Sequence, residues 1–158
     1  MMKGLHPAWI CLGVAAVAAM GIARADTASA PTPVQIVQAR QAALDMSAAT
    51  FVEMKHAAEA GEDVTKQATM ANALAKWAKA LPTMFPAGTG AGQVSVPTRA
   101  RPEIWSDRAT FEARAADYQA AAAKLAQLAQ AGDAAGFGAQ LDTVKNACGA
   151  CHKDFQAR

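Results

Sequence analysis

The stretch Cys148-Gly149-Ala150-Cys151-His152 packs two thiols and an imidazole into five residues. Thiols three residues apart on a helix share a face, and the histidine follows directly. The spacing is C-x-x-C-H, the attachment sequence for c-type haem. Each thiol adds to one vinyl group of the ring, and the vinyls lie on adjacent edges. His152, four residues from Cys148, then reaches the iron from one side. Three other chemistries use the same residue types. A closed structural zinc site needs four ligands, and outside the N-terminal region the only other histidine is His56. A thioredoxin-type redox pair needs a βαβ setting, and no strand pattern is present. A disulfide within C-x-x-C closes too short a loop to stabilise much through chain entropy, and it gives His152 no part. Covalent haem, one haem c per chain, is the reading these residues favour. A haem-free helical interaction module, in which CGACH is incidental, is the competing class.

The elements that must position these residues are helical. Alanine is abundant, β-branched runs are absent, and the apolar spacing follows a helix throughout. Four helices are expected. The first starts at Thr32-Pro33-Val34-Gln35, with Thr32 as N-cap, Pro33 in the first turn and Gln35 completing a capping box, and it runs to about His56. The second spans about Asp63 to Leu81 and stops before Pro82. The third begins between Pro102 and Ser106 and ends at Gly132, a suitable C-cap. Asp133 caps the fourth, which runs to about Gln156. Its seam is Phe137, Leu141, Val144, Cys148, Cys151 and Phe155, spaced 4, 3, 4, 3, 4, so both cysteines sit on the apolar stripe. The third helix repeats Ile104, Phe111, Tyr118 and Leu125 every seven residues; the first offers Val37, Leu44 and Phe51, with Met54 a turn on. Trp77 shares a stripe with Leu74 and Leu81. The two short connections favour antiparallel neighbours, and FPAGTGAGQVSVPTRARP between the second and third helices is expected to be a surface loop. The prediction is an all-α chain: an antiparallel up-down-up-down four-helix bundle with covalent haem.

The N-terminal 25 residues fall outside that bundle. MMKG carries one lysine, an uncharged apolar run of 16 residues follows, and Ala23-Arg24-Ala25 is a small-x-small cleavage site. This reads as a cleaved signal peptide over residues 1–25, with the bundle in residues 26–158. The run is short of the ~20 apolar residues a membrane span needs. Ala28-Ser29-Ala30 is a second possible cleavage site, and Cys11 lacks the small preceding residue of a lipoprotein anchor. Cleavage removes Lys3 and Arg24 from the 15 basic residues and leaves them equal in number to the 13 acidic ones. A neutral domain offers no electrostatic case for nucleic acid or an anionic membrane. The acidic residues are scattered along helix faces, no catalytic acid–base constellation appears, and no enzyme is expected.

His152 is followed by KDFQAR, which contains no methionine, so a second axial ligand must come from upstream or be absent. Here a family resemblance becomes specific. The chain resembles cytochrome c′, the class II c-type cytochromes, through RQAALDM (40–46), ALPTMF (80–85), RPEIWSD (101–107), AGD (131–133) and CGACHKDF (148–155), in that order and across nearly the whole bundle. The resemblance implies a four-helix bundle with the first helix across the distal face of the haem. It implies that Arg40 pairs with a haem propionate by charge-assisted hydrogen bonds, and that apolar Leu44, on the same helix face, packs over the iron without ligating it. His152 is then the only axial ligand and the iron is five-coordinate and high-spin. The alternative is a low-spin electron-transfer cytochrome with Met46 as sixth ligand. Met46 is about 200° round the helix from Leu44, so only one of them can face the iron.

No hydrogen-bond donor is evident next to Leu44, and an apolar distal pocket disfavours stable oxygen binding relative to NO and CO. The expected ligands are therefore NO or CO, with NO scavenging and electron transfer to an unidentified redox partner as the implied roles. The resemblance further implies a bacterial periplasmic location and a homodimer through the first two helices. One position departs from many relatives: where they carry a basic residue four positions after the haem histidine, this chain has Gln156.

Overall fold

The computed structural model describes residues 29–158; the candidate leader, both cleavage sites and Cys11 lie outside the described residues, apart from Ser29 and Ala30. Helix α1 spans Pro33–Glu59. Its start follows from the expected box: Thr32 N donates to Gln35 Oε1 at 2.8 Å and Gln35 N to Thr32 Oγ1 at 3.2 Å, so two otherwise orphaned amides are satisfied reciprocally. Helix α2 spans Ala68–Ala80. It is preceded by a 3-10 turn, Val64–Gln67, capped by Asp63, which accepts from Thr65 N. A second 3-10 turn, Leu81–Met84, carries the chain past Pro82. The second helix is thus shorter than expected, with tighter turns at both ends.

The third element also differs from expectation. A single turn, α3 (Glu103–Ser106), is broken from α4 (Arg108–Ala131) at Asp107, whose extended φ of −122° lets its carboxylate cap Thr110 N. Gly132 ends α4 with φ at +68°, a left-handed conformation that glycine adopts without steric cost. Asp133 then caps α5 (Ala134–Phe155) through Gly136 N.

The long helices close a ring. Helix α4 packs most extensively, on α2 and α5, while α1 lies more loosely against α2 and α5. The protein is an antiparallel four-helix bundle. Its core holds the expected stripes: Ile104, Phe111, Tyr118 and Leu125 are all buried, as are Phe137, Leu141, Val144 and Phe155. Phe85, Phe111 and Phe155 meet edge-to-face with centroids 5.0 and 5.4 Å apart, a geometry that matches ring edges to ring faces. On α1, Val37 and Met54 are fully buried, but Leu44 and Phe51 are only half-buried. Their inner surfaces face a space.

The connection between α2 and α3 is not merely a surface loop. Thr89 within it is completely buried. Gly90 lies so close to Trp105 that an added Cβ would meet its ring at 2.8 Å. The loop forms one wall of the bundle's interior.

Candidate haem site

A cavity of about 740 Å³ opens between α1 and the α4–α5 pair, within the range of pockets that enclose cofactor-sized ligands. Cys148, Cys151, His152, Leu44 and Arg40, the five residues singled out from the sequence, all line it. They come from opposite sides. Helix α5 brings the cysteines from its apolar seam and His152 from the exposed position beside it, and α1 brings Arg40 and Leu44. The aromatics meeting this space are Phe51, Phe85, Phe111, Tyr118 and Phe155, not Trp77.

Both thiols are free and half-buried. Burial raises the pKa of each. That of Cys151 is pushed up to about 11, chiefly by burial and then by the neighbouring Cys148 and Asp154. His152 is shifted the other way, downward, first by burial and then by the charge of Arg99, a direction that favours the neutral imidazole. His56, the other candidate for a zinc site, lies in the last turn of α1 and is not part of the cavity wall.

Arg40 is only 2% exposed. Its guanidinium lies 4.2 Å above the Phe85 ring. One terminal nitrogen donates to Met84 O and Thr89 Oγ1, both at 3.1 Å. The other donates to Thr89 O at 3.0 Å and Thr98 Oγ1 at 3.1 Å. All four acceptors are neutral, and among the described residues no carboxylate pairs with it. A buried cation without a counter-ion is costly, and burial accordingly lowers its pKa. The cavity it lines is where an anionic group would relieve that cost.

Met46 is 63% exposed and absent from the cavity wall. The alternative that places Met46 over the iron is corrected by this: the rotation of α1 that brings Leu44 inward turns Met46 to solvent. The expectation that no hydrogen-bond donor stands near Leu44 also needs correction. Ser47, one turn on, lines the cavity, though its hydroxyl already donates to Ala43 O at 2.7 Å. Tyr118 reaches the same space from α4. Burial raises the pKa of its hydroxyl, Cys148 adds to this, and Ser47 partly opposes it. The i to i+3 spacing from Leu44 was a legible signal for Ser47; nothing in the sequence singled Tyr118 out among the aromatics.

These residues fit a haem. Two thiols one helical turn apart, a neutral imidazole beside them, an apolar wall and a buried unpaired cation supply, respectively, attachment, ligation, enclosure and a partner for a carboxylate. Fold and site together define a haem-binding helical bundle. The family model for cytochrome c′ matches residues 35–156. The chain is 41% identical over 87 residues to cytochrome c′ of Rhodospirillum rubrum, covering 55% of this chain and 57% of that protein. It is 33% identical over 128 residues to cytochrome c′ of Alcaligenes xylosoxydans, covering 80% of this chain and 96% of that one. The fold matches the nitric oxide complex of a mutant of cytochrome c prime from Alcaligenes xylosoxidans, with TM-score 0.73 and 27% identity, over 82% of this chain and 100% of that one. This chain belongs to the cytochrome c′ family, whose members are haem proteins named as cytochromes and not as enzymes. Among the described residues no helix is long and apolar enough to cross a membrane.

Proposed function

We propose that the chain carries one haem c, joined through Cys148 and Cys151 and ligated by His152, and that it binds small diatomic gases, chiefly NO and also CO. The observation that carries the reading is the convergence of all five candidate residues on one cavity. The haem, when bound, supplies a redox-active iron with an open coordination position. The chain does the rest. His152 offers its neutral imidazole from α5. Leu44 fills the opposite side without a lone pair, and the cavity wall contains no methionine and no second histidine, which supports a five-coordinate, high-spin iron. Arg40 neutralises a haem propionate with its otherwise unpaired charge. The apolar wall excludes water, and a ligand must displace Leu44 to enter, which selects for small molecules.

Removal of residues 1–25 as a signal peptide and delivery to a bacterial periplasm complete the reading, with NO scavenging and electron exchange with a redox partner as the roles. Association of two chains through α1 and α2 is supported by Met46 and Val52, large apolar residues of α1 that are 63% and 48% exposed. The test is spectroscopic. Matured protein is expected to retain haem mass after denaturation, to show high-spin ferric and ferrous spectra, and to take up NO and CO. Low-spin spectra in both states, indifferent to CO, would replace gas binding with electron transfer alone.

A further inference from the structure

The segment Pro97–Arg101 crosses the edge of the cavity and is tied at both ends. Toward α1, Gln41 Nε2 donates to Pro97 O at 2.9 Å and Arg40 donates to Thr98 Oγ1 at 3.1 Å. Toward the C-terminus, Ala157 N donates to Arg99 O at 2.8 Å and Arg101 N donates to Phe155 O at 3.1 Å. Between these two bonds Ala100 and Gln156 form an isolated antiparallel bridge. Arg99 is therefore held by its backbone against the residues that follow His152. Arg99 lines the same cavity as His152 and Gln156. Of the other charges on this cavity, Arg114 donates to Asp154 at 3.1 Å, while Lys145 and Asp45 enter no ion pair among the described residues. Arg99 itself enters no ion pair among the described residues.

We propose that Arg99 supplies a fixed positive charge on the His152 side of the cavity, delivered by backbone pairing with the C-terminus, and that this charge raises the reduction potential of the iron His152 binds. The assignment rests on the haem reading above. The physics is Coulombic: reduction lowers the charge of the site by one, so a nearby cation stabilises the reduced state relative to the oxidised one. Helix α5 carries Lys145, which lines the cavity, and Lys153, while neutral Gln156 stands at its C-cap; Arg99 is the cation held there by backbone pairing, from a segment more than fifty residues away in sequence. Arg99 is solvent-exposed, so its effect is screened and modest. Arg99 is a positioning residue in this role, acting on the site through its field.

The test is a mediated redox titration of the matured holoprotein, its attached haem verified by mass, for wild type, Arg99→Gln and Arg99→Lys. Both variants keep the backbone bonds, so a merely structural role moves neither potential. Arg99→Gln is expected to shift the ferric/ferrous equilibrium toward ferric by roughly three- to tenfold, tenfold corresponding to 59 mV for one electron. Arg99→Lys is expected to stay within about twofold of wild type, and the difference between variants should shrink in high salt. An unmoved potential in Arg99→Gln, or an equal loss in Arg99→Lys, overturns the assignment while leaving the haem reading intact. A wild-type chain with no attached haem overturns both.

Discussion

Leu44 and Met46 show how two residues in one helix are assigned opposite fates. Both are apolar and both lie on α1 near its middle, yet Leu44 lines the cavity and Met46 faces solvent. The difference is a rotation of about 200°. If Leu44 is the proposed gate, Leu44→Ala is expected to speed CO binding to the ferrous protein on the order of tenfold, about 1.4 kcal/mol of barrier. Flash photolysis measures this, with Met46→Ala as the control that leaves the rate alone. An unchanged rate in Leu44→Ala would remove Leu44 from its proposed role as gate. At this scale the thiols follow the same logic. They are half-buried on the cavity side of α5, and burial keeps them protonated.

Between elements, the decisive contact is the one from α1 to the loop that follows α2. Arg40 reaches Met84, Thr89 and Thr98 and so joins the helix to both ends of a connection rich in glycine and proline. Such a loop has little apolar surface of its own to bury, and its fixed shape depends on this clamp. Arg40→Met keeps much of the side-chain volume but leaves buried carbonyl groups without donors, and the expected loss is about 3 kcal/mol. Denaturant unfolding of the holoprotein measures it. Arg40→Lys should recover only part, because a single ammonium cannot span both pairs of acceptors as the planar guanidinium does. A variant as stable as wild type would mean that the loop is held by its other contacts, such as Trp105 Nε1 donating to Phe85 O and Pro86 O.

The bundle itself has a tightly packed side and an open side. Helices α2, α4 and α5 share a dense core, and α1 packs more loosely beside the cavity. Tyr118 sits at the boundary, buried from α4 yet facing the cavity, and this has a consequence for pH. Burial holds its hydroxyl pKa above the ordinary value of 10.0. Above that ordinary value the unfolded chain releases the proton first, so the contribution is fully present below about pH 10 and is lost as pH rises toward the folded value. Tyr118→Phe is therefore expected to flatten the alkaline fall in stability by up to about 1.4 kcal/mol per pH unit. Denaturant titrations of holoprotein from about pH 9 to about pH 11 check the slope. Equal slopes in the two proteins would mean that Tyr118 ionises as readily when folded.

Much of this protein is local in origin and therefore legible along the chain. Helix starts at Thr32 and Asp133, the stop at Gly132 and the buried seam of α5 depend on residues within a turn or two of one another. So does the C-x-x-C-H spacing, because covalent attachment and ligation require neighbours on one helix face. The break at Asp107 and the 3-10 turns around α2 were harder to read, since they trade one local hydrogen bond for another of similar strength. What only the tertiary structure decided is everything that needs distant segments to meet. Helix rotation placed Leu44 inward and Met46 outward. The loop after α2 became a wall by burying Thr89 and capturing Arg40. Tyr118 and Ser47 entered the cavity from different helices. Arg99 came to line the same cavity as His152 through a bridge between Ala100 and Gln156. None of these contacts has a sequence period, because each is fixed by how separate surfaces pack around an empty volume and not by the conformation of any one segment.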